Sequence, residues 1–182
     1  HRLQVALALR DRLYAKPYYR LAYGESDGLP GLVLDRYGDV IVGQVGTAGM
    51  EALRADVVAA LEQVVAPRAV VWKNDSGARE LEGLPSYVEV ALGDAPEHAV
   101  VEENGVRFRV PLGAGQKTGW FYDQAANRSA FLKYVRGARV LDMFSYLGAW
   151  GLAAARAGAA GVVCVDSSAP ALELLQASAA DN

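Results

Sequence analysis

The sequence predicts an α/β protein with two parts, an α+β domain over residues 1–103 and the start of a doubly wound, Rossmann-like domain over residues 104–182. In the first part and just beyond it, short apolar runs alternate with turn residues, and Asn104-Gly105 is the strongest hairpin signal among them. In the last third of the chain, strand and helix patterns alternate, which indicates a parallel sheet. Only two parallel strands are predicted there, fewer than such sheets usually need, so we interpret the chain as a fragment of a longer protein.

Two helices are predicted in the first part, over residues 1–14 and 49–65, and a proline shortly after each one ends it. Alternating apolar residues and β-branched runs predict the strands. The predicted strand segments lie within 18–45, with a turn at Arg36 to Asp39, and over 69–74, 87–92, 99–103 and 106–110.

Within the second part, a glycine-rich loop is predicted over residues 113–122, after which Asp123 is expected to cap a helix that runs to Val135. A strand, a helix, a second strand and a second helix then follow. Their predicted ranges are 138–144, 149–157, 161–166 and 169–180.

Composition argues against several classes of protein. The apolar stretches are well short of the ~18 residues that a membrane span needs, so neither a span nor a signal peptide is predicted. The single cysteine, Cys164, excludes an internal disulfide framework and is typical of the cytoplasm. His1 and His98 lie far apart and no CxxC exists, so no metal site is predicted. The net charge of −3 lacks the overall basic character of a duplex-coating protein.

Two acids mark a candidate cofactor site, because Asp142 and Asp166 each end a predicted parallel strand. Asp142 would repel the pyrophosphate of a dinucleotide, whereas S-adenosylmethionine carries a cationic sulfonium and amino group that an acid favours. Asp166 is suited to accept hydrogen bonds from both ribose hydroxyls, and Gly148 keeps the first loop tight. The alternative is that both acids are ordinary caps of strand ends.

Residues before the first parallel strand are further candidates. The run G-A-G-Q-K-T-G lacks the glycines of a Walker A motif, so a P-loop is excluded. Lys117, Thr118, Phe121 and Asp123 nevertheless lie where a loop can fold over a ligand, although the aromatic residues here could equally pack in the core. After the second strand, serines at 167 and 168 can cap the next helix.

Two other features have a simpler explanation than function. Cytosine-5 methylation uses a thiolate, but Cys164 lies in a buried strand pattern, where a thiol is normally inert. Residues 1–20 carry five basic residues against one acid and could contact RNA phosphates, yet a solvated helix surface explains them as well.

Four segments, in this order, resemble one known family. They are Y-G-E-S-D-G-L-P-G-L-V-L-D-R-Y-G-D (23–39), V-E-E-N-G-V-R-F (101–108), G-Q-K-T-G-W-F-Y-D-Q-A-A-N-R (115–128) and V-L-D-M-F-S-Y-L-G (140–148). Together they are similar to the ribosomal RNA large-subunit methyltransferase I type, S-adenosylmethionine-dependent enzymes that make 5-methylcytosine in 23S rRNA. The resemblance covers nearly the whole chain.

The resemblance implies a central α+β domain followed by the first part of a class I methyltransferase domain. It also implies a PUA module before His1, and an acid-proline loop and a catalytic cysteine after Asn182, so no catalytic residue is assigned within the chain. The expected partner is ribosomal RNA of the 23S type, in the cytoplasm and without metal or membrane. With the residues argued above, the candidate S-adenosylmethionine-binding set is Lys117, Thr118, Phe121, Asp123, Asp142, Phe144, Ser145, Tyr146, Gly148, Asp166 and Ser167.

Two other functions stay open. An RNA-binding or dimerisation module with a degenerate Rossmann remnant would use the basic segment 1–20, and an exposed strand edge would let two copies pair. An NAD-dependent oxidoreductase is disfavoured by Asp142 and by the missing GxGxxG motif.

Overall fold

The computed structural model describes residues 1–182 and divides into two compact units. The first unit comprises His1–Ala99 and Pro111–Trp120, and the second comprises Val100–Val110 and Phe121–Asn182. The predicted boundary after residue 103 differs from this division mainly in residues 111–120, which return to the first unit. None of the helices is both long and apolar enough to span a membrane.

The first unit is built on a five-stranded sheet in the order β1-β2-β3-β4-β5. Its strands are antiparallel except for β3 and β4, which run parallel because helices connect them. The strands are β1 (Tyr18–Tyr23), β2 (Leu32–Tyr37), β3 (Val40–Val45), β4 (Ala69–Asn74) and β5 (Tyr87–Gly93). The helices are α1 (Arg2–Leu13), α2 (Ala48–Ala52), α3 (Arg54–Val64) and α4 (Ala78–Leu81).

One face of this sheet forms the main hydrophobic core with α1 and α3. Leu34, Ile41, Leu61 and Trp72 are fully buried there. In β2, Leu34 of this face is followed by Asp35 of the other face, as the period of two in a strand requires. The predicted strands of this unit are confirmed, but the helix predicted over 49–65 is wrong in one respect.

That segment forms two helices, α2 and α3, and not one. The backbone of Leu53 leaves the helical region (φ −94°, ψ 6°), and its N–H bonds three residues back to Met50 and not four. Thr47 caps the first of the two helices by accepting a hydrogen bond from the N–H of Met50. Apolar periodicity alone could not reveal this break, because it continues across both helices.

The second unit contains most of a two-stranded sheet, β6 (His98–Glu103) with β7 (Val106–Pro111), and then a helix-strand alternation. Asn104 and Gly105 have φ of 52° and 75°, as the predicted type I′ turn requires. The remaining elements are α5 (Ala125–Phe131), β8 (Arg139–Met143), α6 (Ala149–Arg156), β9 (Gly161–Val165) and α7 (Ala169–Ala180). The parallel pairing of β8 with β9 confirms the predicted β-α-β-α unit.

The expectation that Asp123 caps a helix running to Val135 is wrong. Asp123 lies inside a short 3₁₀ turn, Tyr122–Gln124, and no side chain caps α5, which ends at Phe131. The N–H of Gln124 bonds to the carbonyl of Phe121, three residues back, so the chain is already turning where an N-cap would have to be extended.

Candidate functional site

The two acids lie at the same edge of the second unit, because β8 and β9 are parallel. Asp142 pairs in register with Cys164, and Met143 with Val165. The loop 144–148 follows β8, and its Ser145 N–H continues the ladder by donating to the carbonyl of Val165 at 3.0 Å. Asp166 follows β9 directly. The two acids therefore lie at the carboxyl-terminal ends of two parallel strands, as predicted.

The carboxylate of Asp166 joins the two strand ends. Its Oδ2 accepts a hydrogen bond from the Tyr146 N–H at 2.7 Å, and its Oδ1 accepts one from the Ser168 N–H at 2.9 Å. Ser168 in turn caps α7, since its hydroxyl accepts from the Ala171 N–H. Ser167, the other predicted cap, is exposed and does not cap the helix. Asp166 thus fixes the loop after β8 as well as the turn after β9.

Asp142 is held more deeply, with only 9% of its surface exposed. Its Oδ2 accepts the N–H of Gly151, at the start of α6, at 2.9 Å. Burial raises the pKa of this carboxyl above its ordinary value, the Gly151 N–H lowers it, and the negative charge of Asp166 raises it further. The net direction is upward, so the ionised acid lacks sufficient compensation from the protein alone. A cation at this edge would supply it.

The loop between the acids has an unusual backbone. Phe144 and Tyr146 have positive φ of 59° and 49°, a conformation that costs non-glycine residues energy and is concentrated at ligand sites. Gly148 has φ 72°, and a Cβ there would come within 2.6 Å of Leu175, so glycine is required on both counts. Phe144 projects outward with 87% of its surface exposed, whereas the hydroxyl of Ser145 is buried and has no hydrogen-bond partner.

Phe121 closes one side of this loop. Its ring meets that of Tyr146 edge to face, with centroids 5.9 Å apart. Two of the other predicted residues of this segment, Lys117 and Thr118, belong to the first unit. Thr118 is fully buried there, and its hydroxyl donates to the carboxylate of Asp35. Its side chain is therefore committed to the first unit, while Lys117 and Asp123 are both exposed.

Comparison with known proteins gives the family. A model of S-adenosylmethionine-dependent methyltransferases matches residues 48–177, more than two thirds of the chain. The chain belongs to the S-adenosylmethionine-dependent methyltransferase family. This match confirms the predicted class. The matched segment contains the two acids, the loop 144–148 and the Phe121–Tyr146 pair.

Named relatives narrow the resemblance. The chain is 43% identical over 94% of its length to the ribosomal RNA large subunit methyltransferase I of Photobacterium profundum, and 41% identical over 98% to that of Aeromonas salmonicida. It spans 44% and 46% of those two proteins, or about half their length. Among solved structures, the candidate methyltransferase SMU.776 in complex with SAH is 28% identical, with a TM-score of 0.83 over 97% of this chain and 46% of that one.

The site residues fit the methyl donor of this methyltransferase family. S-adenosylmethionine is cationic at its sulfonium and amino groups, and Asp142 is a buried carboxyl whose pKa is raised by burial and by the nearby charge of Asp166. The unpartnered hydroxyl of Ser145 is a buried polar group of the kind that a ligand satisfies. The exposed ring of Phe144 and the Phe121–Tyr146 pair add apolar surface at this edge.

Cys164 does not have the properties of a reactive thiol. Burial, and then the neighbouring charge of Asp142, raise its pKa to about 11. The thiol is therefore almost entirely protonated at neutral pH and a poor nucleophile. The prediction that it is inert is consistent with this environment.

Two residues that contact this region lie outside the predicted binding set, Arg128 and Gly151. Arg128 is the last residue of the motif 115–128, which is the sequence signal that points to it. Its partner Glu103, however, lies 25 positions earlier. Glycine is needed at position 151 because there is no space for a side chain, which the neighbouring sequence does not reveal. A Cβ at that position would lie 2.3 Å from the sulfur of Cys164.

Proposed function

We propose that this chain forms part of an enzyme that transfers a methyl group from S-adenosylmethionine to ribosomal RNA of the large subunit, at C5 of a cytosine in 23S rRNA. The observation that carries the proposal is the 43% identity over 94% of the chain to a protein named ribosomal RNA large subunit methyltransferase I. Because the chain spans about half of such proteins, the activity of the whole is a proposal for this one.

In this proposal the second unit binds the donor. Asp142 offers its carboxylate to the cationic methionine end, the Ser145 hydroxyl supplies a further polar contact, and Asp166 offers the sugar its remaining acceptor capacity. The loop 144–148 and Phe121 supply the shape of the pocket. When bound, S-adenosylmethionine contributes an electrophilic methyl group. Lys117, Thr118, Asp123 and Ser167 remain proposed contacts, of which Thr118 has the least support because its hydroxyl is already bonded.

The chemistry at the base is not assigned to a residue of this chain. Attack on cytosine C6 requires a thiolate, and the pKa of Cys164, raised to about 11, makes that thiol unsuitable. We therefore assign to this chain the binding and orientation of the donor and leave the acceptor chemistry to groups outside it.

An RNA-binding or dimerisation module without activity is the second candidate, and its support is weaker. Arg10 and Arg20 of the basic segment 1–20 are used internally, since Arg10 pairs with Asp27 and Arg20 with Asp35. A homodimer, RNA contact by basic residues of this segment, and a cytoplasmic location where rRNA is available are further parts of the proposal.

The test combines donor binding with methyl transfer. Calorimetry with S-adenosylhomocysteine should show binding by the full-length protein, and Asp166→Ala should weaken it by at least about tenfold, since it removes the acceptor of the Tyr146 N–H. Tritiated S-adenosylmethionine should label large-subunit rRNA, and nuclease digestion with mass spectrometry should identify 5-methylcytidine. RNA binding that is steeply salt-dependent, indifferent to the donor and without transfer would support the inactive module instead.

A further inference from the structure

Arg128 is a buried arginine in α5 whose contacts converge on the candidate site. Only 2% of it is exposed. Its Nε and Nη2 donate to the two carboxylate oxygens of Glu103 at 2.5 and 2.8 Å, and Nη2 also donates to the backbone carbonyl of Phe121 at 2.9 Å. The guanidinium therefore ties the end of β6 to the residue whose ring faces the loop after β8.

The bond to Phe121 fixes a non-repeating piece of backbone. Phe121 has φ −106° and ψ 76°, outside helix and strand, so no regular hydrogen-bond ladder determines its direction. Its carbonyl receives the Arg128 guanidinium and the Gln124 N–H, and these two donors set the direction of the peptide. The backbone in turn sets the position and direction of the Cα–Cβ bond from which the Phe121 ring extends.

Phe121 passes this constraint to the loop. Its ring lies edge to face with Tyr146, the same residue whose N–H is bound by Asp166. The loop residue is thus held at its backbone by an acid of the site and at its ring by Phe121.

Stability alone is a weak explanation for such an arrangement. A buried ion pair adds little net stability over an apolar replacement, because removing both charges from water costs about as much as their attraction returns. The planar fork of arginine is needed when two oxygens and a third acceptor must be met at fixed angles, and lysine cannot reproduce it. Arg128 uses this fork, because its guanidinium meets both carboxylate oxygens of Glu103 and the carbonyl of Phe121.

We propose that Arg128, held by Glu103, is a positioning residue for donor binding that acts through Phe121. This inference rests on the proposed function. Arg128 sets the Phe121 carbonyl, the Phe121 ring supports Tyr146, and the loop 144–148 is thereby kept in its binding conformation before the donor arrives.

The experiment uses Arg128→Lys in the full-length protein, with Arg109→Lys as the matched control. Arg109 makes a similar two-bond pair with Asp181, at 2.6 and 2.9 Å, in the same unit, but contacts neither Phe121 nor the loop. Calorimetry with S-adenosylhomocysteine should show at least about tenfold weaker binding for Arg128→Lys, because a small misplacement of a binding group is costly. Arg109→Lys should stay within about twofold, as expected of a surface ion pair.

A double-mutant cycle with Phe121→Ala separates positioning from general damage. If Arg128 acts through Phe121, Arg128→Lys adds little further loss of affinity once the ring is gone, whereas a purely structural role gives additive losses. The KM for the donor should rise while kcat changes little. Should Arg128→Lys fail to fold, Glu103→Gln enters the same cycle.

Unchanged affinity in Arg128→Lys, or additive losses in the cycle, would overturn the inference while leaving the proposed function intact. Absence of S-adenosylhomocysteine binding by the unmodified protein would instead overturn the proposed function. The two failures are therefore distinguishable.

Discussion

Gly151 offers a direct test of how tightly the acid edge is packed. In Gly151→Ala, the new Cβ would lie 2.3 Å from the Cys164 sulfur, and 3.2 Å from both Asp142 Oδ2 and Val162 Cγ1. Ordinary contact between heavy atoms begins at about 3.5 Å, so the sulfur must move by roughly 1.2 Å while the other two atoms need only a few tenths. Most of the conflict is thus with one atom.

The expected change in stability is the sum of two opposing effects. Alanine in place of glycine inside α6 stabilises the helix by about 0.8–1.0 kcal/mol. Overpacking of this kind costs about 1–3 kcal/mol. The single substitution should therefore change the free energy of unfolding by about 0 to 2 kcal/mol in the destabilising direction, a range whose upper part is easy to measure.

The Cys164→Ala background removes the sulfur and should remove most of the conflict. In that background Gly151→Ala should become neutral or stabilising, giving a coupling free energy of about 1–3 kcal/mol between the two positions. Gly161→Ala is the matched control in β9, because a Cβ there meets nothing within 4 Å. It should change stability by less than about 0.5 kcal/mol in either background.

Urea unfolding followed by circular dichroism gives the four free energies of the cycle. Hydrogen exchange of residues 149–180 locates the change in the second unit. Additive effects, with Gly151→Ala equally destabilising in both backgrounds, would refute the conclusion that the Cys164 sulfur limits the space at this edge.

Two further predictions concern charge at the same place. Because the pKa of Asp142 is raised, its contribution to stability is greatest below the ordinary carboxyl pKa and is lost as pH rises through the folded value. Asp142→Asn should therefore gain thermal stability relative to the unmodified protein from pH 4 to 7, while it binds S-adenosylhomocysteine more weakly. A constant difference in melting temperature across that range would contradict this prediction. The Cys164 thiol, with its pKa raised to about 11, should react with iodoacetamide at pH 7.5 roughly a hundredfold more slowly than a thiol of pKa 9, and alkylation at the rate of an exposed thiol would show that the burial is wrong.

The parts of the fold that sequence reasoning recovered are those with local causes. Asn104-Gly105 specifies its hairpin through the φ values of two adjacent residues, and the runs before Asp142 and Asp166 specify strands through their own apolar residues. Parallel pairing then follows from chain order, since a helix lies between the two runs. The edge that carries the acids could therefore be predicted without knowing any distant contact.

The parts that were missed depend on residues far apart in sequence. Thr118 reads as a loop residue, but its hydroxyl meets Asp35, 83 positions earlier, and this contact buries it in the first unit. The role of Arg128 likewise depends on its ion pair with the distant Glu103. Neither pairing follows from periodicity, which reports only which face of an element is apolar.

The charges at this edge favour a cationic ligand over an anionic one. Asp166 has backbone N–H partners on both oxygens, but Asp142 has one such partner, is buried, and lies close enough to Asp166 for that charge to raise its pKa. Two carboxylates placed together in this way repel one another, and an anionic pyrophosphate would increase the repulsion, whereas a ligand with a positive charge reverses its sign. The loop 144–148 is also held at several points. Asp166 bonds the Tyr146 N–H, the Phe121 ring packs on that of Tyr146, and Gly148 has no room for a Cβ. Asp142 can favour a cationic ligand only if the loop 144–148 cannot move to donate further hydrogen bonds to its carboxylate.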